Sequence, residues 1–210
     1  MPGRTLIYNG RIIAETHSLP TGYVLIEGER IISVGEEWNG LEADQRIDAH
    51  GQLVSPGFID MHTHGMRDVD FMECDVDTAV QGLRAYAGFG ITRVVASTLS
   101  NPLDTIIRQA ARLRTIRDNR EYGDMLHGVH VEGPWLAPRC RGGHALEYLR
   151  VPEEEDVKRL LGEVGDVVKT VTYAPELPNS VWLTEQLVRH EIVPVLGHTE
   201  ASFEHAERVI

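Results

Sequence analysis

The sequence predicts an α/β fold, with a parallel β-α sheet over most of the chain and a small antiparallel β unit before it. Three observations carry this. Up to residue 55, short apolar runs are separated by turn residues. From Phe58 onward, apolar runs of strand length alternate with amphipathic segments of helix length, the pattern of a parallel sheet whose strands are joined by helices. Histidine and glutamate also recur just beyond the ends of those strands, where β-α folds collect their chemistry.

In the first 55 residues the apolar runs are 6–8, 11–13, 23–26, 31–34, 46–47 and 53–54. Asn9-Gly10 and Glu27-Gly28 fall where tight hairpin turns are needed. This stretch has no chemical signature and reads as a structural platform. Beyond it, strand 58–61 leads to helix 77–87, strand 92–96 to helix 103–117, and strand 125–131 to helix 153–161. Strand 167–173 then leads to helix 181–190, and strand 192–196 to a helix beginning near Ala201. Asn101-Pro102 and Val151-Pro152-Glu153 mark helix starts, because proline's fixed φ suits a first turn. Periodicity alone leaves a doubly wound sheet and a closed barrel both open. No Gly-x-Gly-x-x-Gly follows strand 58–61, which speaks against dinucleotide binding.

Composition narrows the partners. The chain has 20 basic against 32 acidic residues, a net charge of −12, and no basic run that tracks a phosphate backbone, so nucleic acid is not an expected partner. No apolar run approaches the roughly 20 residues that cross a bilayer, and the first residues lack a leader pattern. A cytoplasmic protein with no membrane partner is expected. Cys74 and Cys140 have no CxxC spacing and fit reduced thiols, with one disulfide between them still open.

The chain is organised around PGFIDMHTHG at 56–65. Phe58, Ile59 and Met61 read as a short buried strand entered from a Pro-Gly turn, with His62 and His64 two apart at its far end. Strand side chains alternate, so both imidazoles point to one face, and neutral imidazole is a common ligand for divalent metals. Glu132 ends the third strand of the series within HVEGP, and His198 follows the fifth within LGH. His130 reads as a strand residue held by packing. Four donors on one rim point to a metal centre.

The motifs PGFIDMHTHG, VEGPWL followed by RGGHALEYLR, TYAPE and LGHTEASFEHA resemble the sequential motifs of the N-acetylglucosamine-6-phosphate deacetylases of the amidohydrolase superfamily. The resemblance runs from strand 58–61 to the end of the chain. It implies an incomplete (β/α)8 TIM-type barrel of about five β-α units in 56–210, truncated after strand five, preceded in 1–55 by part of a small β-sandwich domain. It also implies removal of acetate from N-acetylglucosamine 6-phosphate to give glucosamine 6-phosphate. Glu132 and His198 match the family's metal ligands. His62 and His64 match the pair of members that hold a second ion, so one or two divalent metals, Zn2+ or Fe2+, are expected. His144, with Gly143 beside it, matches the substrate-side histidine of a Lys-Gly-Ala-His-like motif, in which Arg141 and Gly143 are substitutions. The family's acid/base aspartate is expected beyond Ile210, leaving no catalytic residue assigned within the chain and predicting a poor catalyst from this piece alone. A homodimer is expected of the complete enzyme.

Many binuclear relatives bridge their metals with a carboxylated lysine at the end of the fourth strand. Here residues 172–176 read TYAPE, and Lys169 lies near that strand's beginning. Glu132 is then the natural bridge or shared ligand, which argues against a dihydroorotase or hydantoinase. Two other readings stay open at this point: an amidohydrolase acting on a different N-acyl or cyclic amide, and a metal-binding fragment without turnover.

Overall fold

The computed structural model describes residues 2–209, and its contacts divide the chain into two compact units, Met1–Gly57 and Phe58–Ile210. In the first unit, β1 (Arg4–Ile13), β2 (Ser18–Glu27), β3 (Arg30–Gly35), β4 (Gln45–Asp48) and β5 (Leu53–Val54) form one sheet. The Glu27-Gly28 turn joins β2 to β3 as expected, with Gly28 at φ +59°. Asn9-Gly10 is no hairpin. It lies inside β1 as a register shift opposite β2, with Asn9 at φ +56°. A bulge satisfies the same preference of asparagine and glycine for unusual backbone without reversing the chain. Nor is the sheet purely antiparallel, because β4 and β5 both pair with β1 in parallel.

Leu6, Tyr23 and Leu25 form the small core of this unit, with Tyr8, Trp38, Leu41 and Ala43 packed against them. Strand alternation turns Ile7, Val24 and Ile26 the other way, where they line an open apolar trough of about 450 Å³.

The second unit is an α/β fold around a five-stranded, wholly parallel sheet that curls into a half-barrel. Its strands are β6 (Phe58–Thr63), β9 (Ile91–Ser97), β10 (Leu126–Glu132), β11 (Val168–Tyr173) and β12 (Val193–Leu196), and their spatial order follows the chain order. A short hairpin, β7 (Gly65–Met66) with β8 (Val69–Asp70), interrupts the run after β6 and was not legible in the sequence. The connecting helices are α1 (Val76–Gly88), α2 (Leu103–Asn119), α3 (Glu154–Val164) and α4 (Ser180–Arg189), with α5 (Phe203–Glu207) after β12. Their starts have local causes. Asp75 accepts the N–H of Thr78 at 2.8 Å, Pro102 precedes α2, and acidic residues fill the first turn of α3 against the helix dipole.

Alternation along the strands sorts the side chains. Val129, Val131 and Val171 join Leu83, Ile106, Leu113, Leu160 and Leu183 in a dry core between sheet and helices. His130 and Glu132, one position out of phase, fall on the opposite face. There Met61, His62, Val95, His130, Thr170 and Val193 line a trough of about 500 Å³.

One expectation fails on this face. Phe58, Ile59 and Met61 are not buried but 67%, 65% and 70% exposed. Their strand is an edge, paired with β9 alone, and among the described residues nothing covers its other side.

Candidate metal centre

All five strands of the half-barrel run the same way, so their carboxyl ends share one rim. Glu132 ends the central strand β10, with β6 two strands away on one side and β12 two away on the other. In a flat sheet those outer strands stand about 9–10 Å from the centre, since neighbours are about 4.8 Å apart. The curl brings their side chains in. His62 Nε2 and His64 Nε2 reach Glu132 Oε2 at 3.1 and 3.0 Å, and His198 Nε2 reaches Oε1 at 2.9 Å. The carboxylate is therefore divided, one oxygen per side.

The predicted residues thus come together as two overlapping groups, His62–His64–Glu132 and Glu132–His144–His198. The loop after β10 carries His144 to 3.8 Å from Glu132 Oε1, and its imidazole is buried rather than solvated. Gly143 occupies an exposed turn with open space beside it. Gly142 has the stronger structural requirement. It has φ +58°, and an added Cβ would press on the His198 ring at 3.3 Å, so glycine lets this loop lie against that imidazole.

Contacts behind each imidazole determine what it offers. His198 Nδ1 lies 2.8 Å from the Cys140 carbonyl oxygen, which only accepts, so Nδ1 carries the hydrogen and Nε2 presents a lone pair to the centre. His144 is the reverse. Its Nδ1 accepts the Ser100 N–H at 3.1 Å and lies 2.8 Å from Ser100 Oγ, which leaves the hydrogen on Nε2. His144 therefore faces the centre with a hydrogen, and His198 with a lone pair.

Ser100 was not singled out in the sequence, where a serine after a strand has no distinguishing spacing. Its significance depends on a residue 44 positions away. His130 is a buried strand residue held by its neighbours, as expected, and that packing serves the site. It is held by Ser97 Oγ at 3.1 Å and Thr172 Oγ1 at 2.7 Å, and its ring meets His62 edge-on at a 4.4 Å centroid separation.

The charges follow from burial and pairing. Burial works to raise the carboxyl pKa of Glu132, but the imidazoles of His144, His64 and His198 gathered around it together outweigh it and hold the group ionised far below the usual range. The hydrogen bond to Glu132 raises His64, the largest of several influences on it. Burial, helped by the proximity of His62, lowers His130 to about 4, so it is neutral at physiological pH.

This donor set fits a metal. Ligand atoms held about 2.0–2.1 Å from one tetrahedral ion lie about 3.3 Å from one another. His62 Nε2 and His64 Nε2 are 3.3 Å apart, each about 3 Å from the same carboxylate oxygen. Without an ion, hydrogen bonding of both to that oxygen would turn two N–H groups towards one another at this separation, which their mutual repulsion opposes. His198 Nε2 and Glu132 Oε1, a lone pair facing a lone pair, leave the same need for a cation.

Comparison with known proteins agrees with the motifs. No family model matches the chain. The chain is 30% identical over 200 residues to a Bacillus subtilis protein named N-acetylglucosamine-6-phosphate deacetylase, covering 93% of this chain and 50% of that one. The chain is a relative of the N-acetylglucosamine-6-phosphate deacetylases. A human deacetylase of that name is 31% identical over 173 residues, covering 80% of this chain and 42% of its own length. Among solved structures, an aspartate-to-alanine mutant of the Mycobacterium smegmatis deacetylase in complex with N-acetyl-D-glucosamine-6-phosphate superposes with a TM-score of 0.88. It is 27% identical, with 99% of this chain and 53% of that chain covered. These relatives are hydrolytic enzymes, and the chain spans about half their length.

Proposed function

We propose that this chain is the metal-holding part of an N-acetylglucosamine-6-phosphate deacetylase, releasing acetate from the 6-phosphorylated amino sugar. The observation that carries the reading is the division of Glu132, whose two oxygens face separate imidazole sets. His62 and His64 with Oε2, and His198 with Oε1, would hold one or two divalent ions. Zinc and iron(II) both accept this mixture of nitrogen and oxygen donors. A divalent ion held there lowers the pKa of a water from about 15.7 towards about 7 and polarises the amide carbonyl.

The chain's own groups do the rest of what can be assigned to it. Glu132 stays ionised and supplies the negative charge that bound cations require. His144, with its hydrogen on Nε2, donates to the carbonyl oxygen as negative charge develops on it. His198, fixed through Cys140, keeps its lone pair turned inward. Expulsion of the amine needs a proton, since an amine anion is a very poor leaving group. We assign that proton to an aspartate outside these 210 residues, as the motif resemblance implies. The mycobacterial relative that holds N-acetyl-D-glucosamine-6-phosphate carries an aspartate-to-alanine change, which supports this.

In the complete protein the half-barrel would be part of a (β/α)8 barrel and the first unit part of a β-sandwich. We propose a cytoplasmic homodimer without nucleic-acid or membrane partners. The net charge of −12 speaks against a nucleic-acid partner, and among the described residues no helix is long and apolar enough to cross a membrane.

Acetate release from N-acetyl sugars with and without a 6-phosphate, measured on the enzyme carrying this chain at full length, tests the activity. The 6-phosphorylated glucosamine derivative should be turned over preferentially. Equal turnover of unphosphorylated sugars, or of cyclic amides, would move the reading to another amidohydrolase.

A further inference from the structure

The segment after β11 supplies no ligand, yet its carboxylate is bonded to the loop that carries one. Glu176 is half-buried and reaches across to the residues that follow β12. Its Oε1 accepts the backbone N–H of Glu200 at 2.7 Å, and its Oε2 accepts the hydroxyl of Thr199. The Thr199 hydroxyl oxygen in turn accepts the N–H of Ala201 at 2.9 Å. These are the three residues that follow His198.

His198 needs such a hold. It sits at φ +51°, in the left-handed region where a side chain crowds its own backbone. Such a conformation persists only where the surroundings over-determine it. Upstream the hold is backbone, with Gly197 N–H on the Tyr173 carbonyl at 3.2 Å, and the His198 carbonyl itself accepts Ala137 N–H at 3.0 Å. Downstream the anchor is Glu176. Both of its oxygens are committed to this loop, and it belongs to neither group of converging metal donors.

We infer that Glu176 is a positioning residue for His198: its carboxylate ties down Thr199 and Glu200 and thereby keeps the His198 imidazole locked on Cys140 with Nε2 turned to Glu132. The consequence for metal affinity rests on the metal-centre reading above, whereas the lock itself does not.

The test uses the 210-residue chain and two readouts. The first is the imidazole ¹⁵N spectrum of metal-free protein, with His198→Ala assigning the signal. Wild type should show His198 in one state with its hydrogen fixed on Nδ1, and Glu176→Ala should show that hydrogen averaging between the two ring nitrogens. Glu176→Gln keeps one acceptor oxygen and should fall between them. The second readout is titration with Co2+ alone. Glu176→Ala should weaken binding at the His198 site about 10- to 100-fold, the usual range for loss of a group that orients a ligand, and leave the His62–His64 site unchanged. A loss of thermal stability without change in the His198 tautomer is what a merely structural role gives, and it would overturn the inference, as would wild-type spectra in Glu176→Ala. If that variant does not fold, Glu176→Gln decides by the same two criteria. If wild type binds no Co2+, the metal reading falls, and the spectrum still decides the role of Glu176.

Discussion

Glu132 is the residue on which the centre depends. Its side chain is only 6% exposed and meets imidazoles from both outer strands of the half-barrel. Replacing it with glutamine keeps the shape and removes the charge, so metal retained after dialysis should fall from one or two ions per chain to none, read by elemental analysis. Where two are held, His62→Ala and His198→Ala should each remove one ion and spare the other, because each touches a different carboxylate oxygen. Intact folding with unchanged metal content in all three variants would end the metal-centre reading. His144→Ala should leave metal content alone, since its Nε2 carries a hydrogen, and in the full-length enzyme should lower turnover about 10²- to 10³-fold, the usual cost of losing one oxyanion donor.

At the scale of elements, the helices brace the rim through their packing and their caps. Leu113 on α2 is fully buried in the core that joins α2 to the sheet. Leu113→Ala should cost about 2–5 kcal/mol, read as a lowered urea midpoint at unchanged slope. The Asp75 cap gives a pH-dependent case. The Thr78 backbone N–H holds its carboxyl below the ordinary value of 3.8, so the folded state binds its proton less readily than the unfolded state does. That contribution is present above pH 3.8 and is lost as pH falls through the lower, folded value. Asp75→Ala should therefore lower the thermal midpoint at neutral pH by more than it does in acid. An equal deficit at both pH values would show that the carboxylate charge contributes nothing.

Taken whole, the second unit is a sheet with two open edges. β6 and β12 each pair with one neighbour, and Phe58, Ile59, Met61 and Val193 are exposed around them. Unpaired strands and apolar faces favour association, while the net charge of −12 opposes it. The 210-residue chain should therefore sediment as a concentration-dependent mixture that shifts to larger species when salt screens the charge. Supplied with zinc or iron(II), it should release acetate negligibly, because no residue in it is assigned to protonate the amine. Enzyme-like turnover by this chain would refute that assignment.

Short-range chemistry made much of this legible from the residues alone. Strand and helix periods marked the five β-α units, and the polar residues ending strands marked His62, His64, Glu132 and His198, since which face a strand residue occupies depends only on its neighbours in the chain. Longer-range relations did not show. Asn9-Gly10 suits a bulge as well as a turn, and only pairing with β2 chose between them. The exposure of Phe58 depends on which strands lie beside it. The division of Glu132 between two imidazole sets arises from how far the sheet curls, while the opposite tautomers of His144 and His198 and the reach of Glu176 to Thr199 come from which loops meet over its rim. That curl is a property of all five strands packed together, so tertiary structure alone decides which nitrogen faces which oxygen.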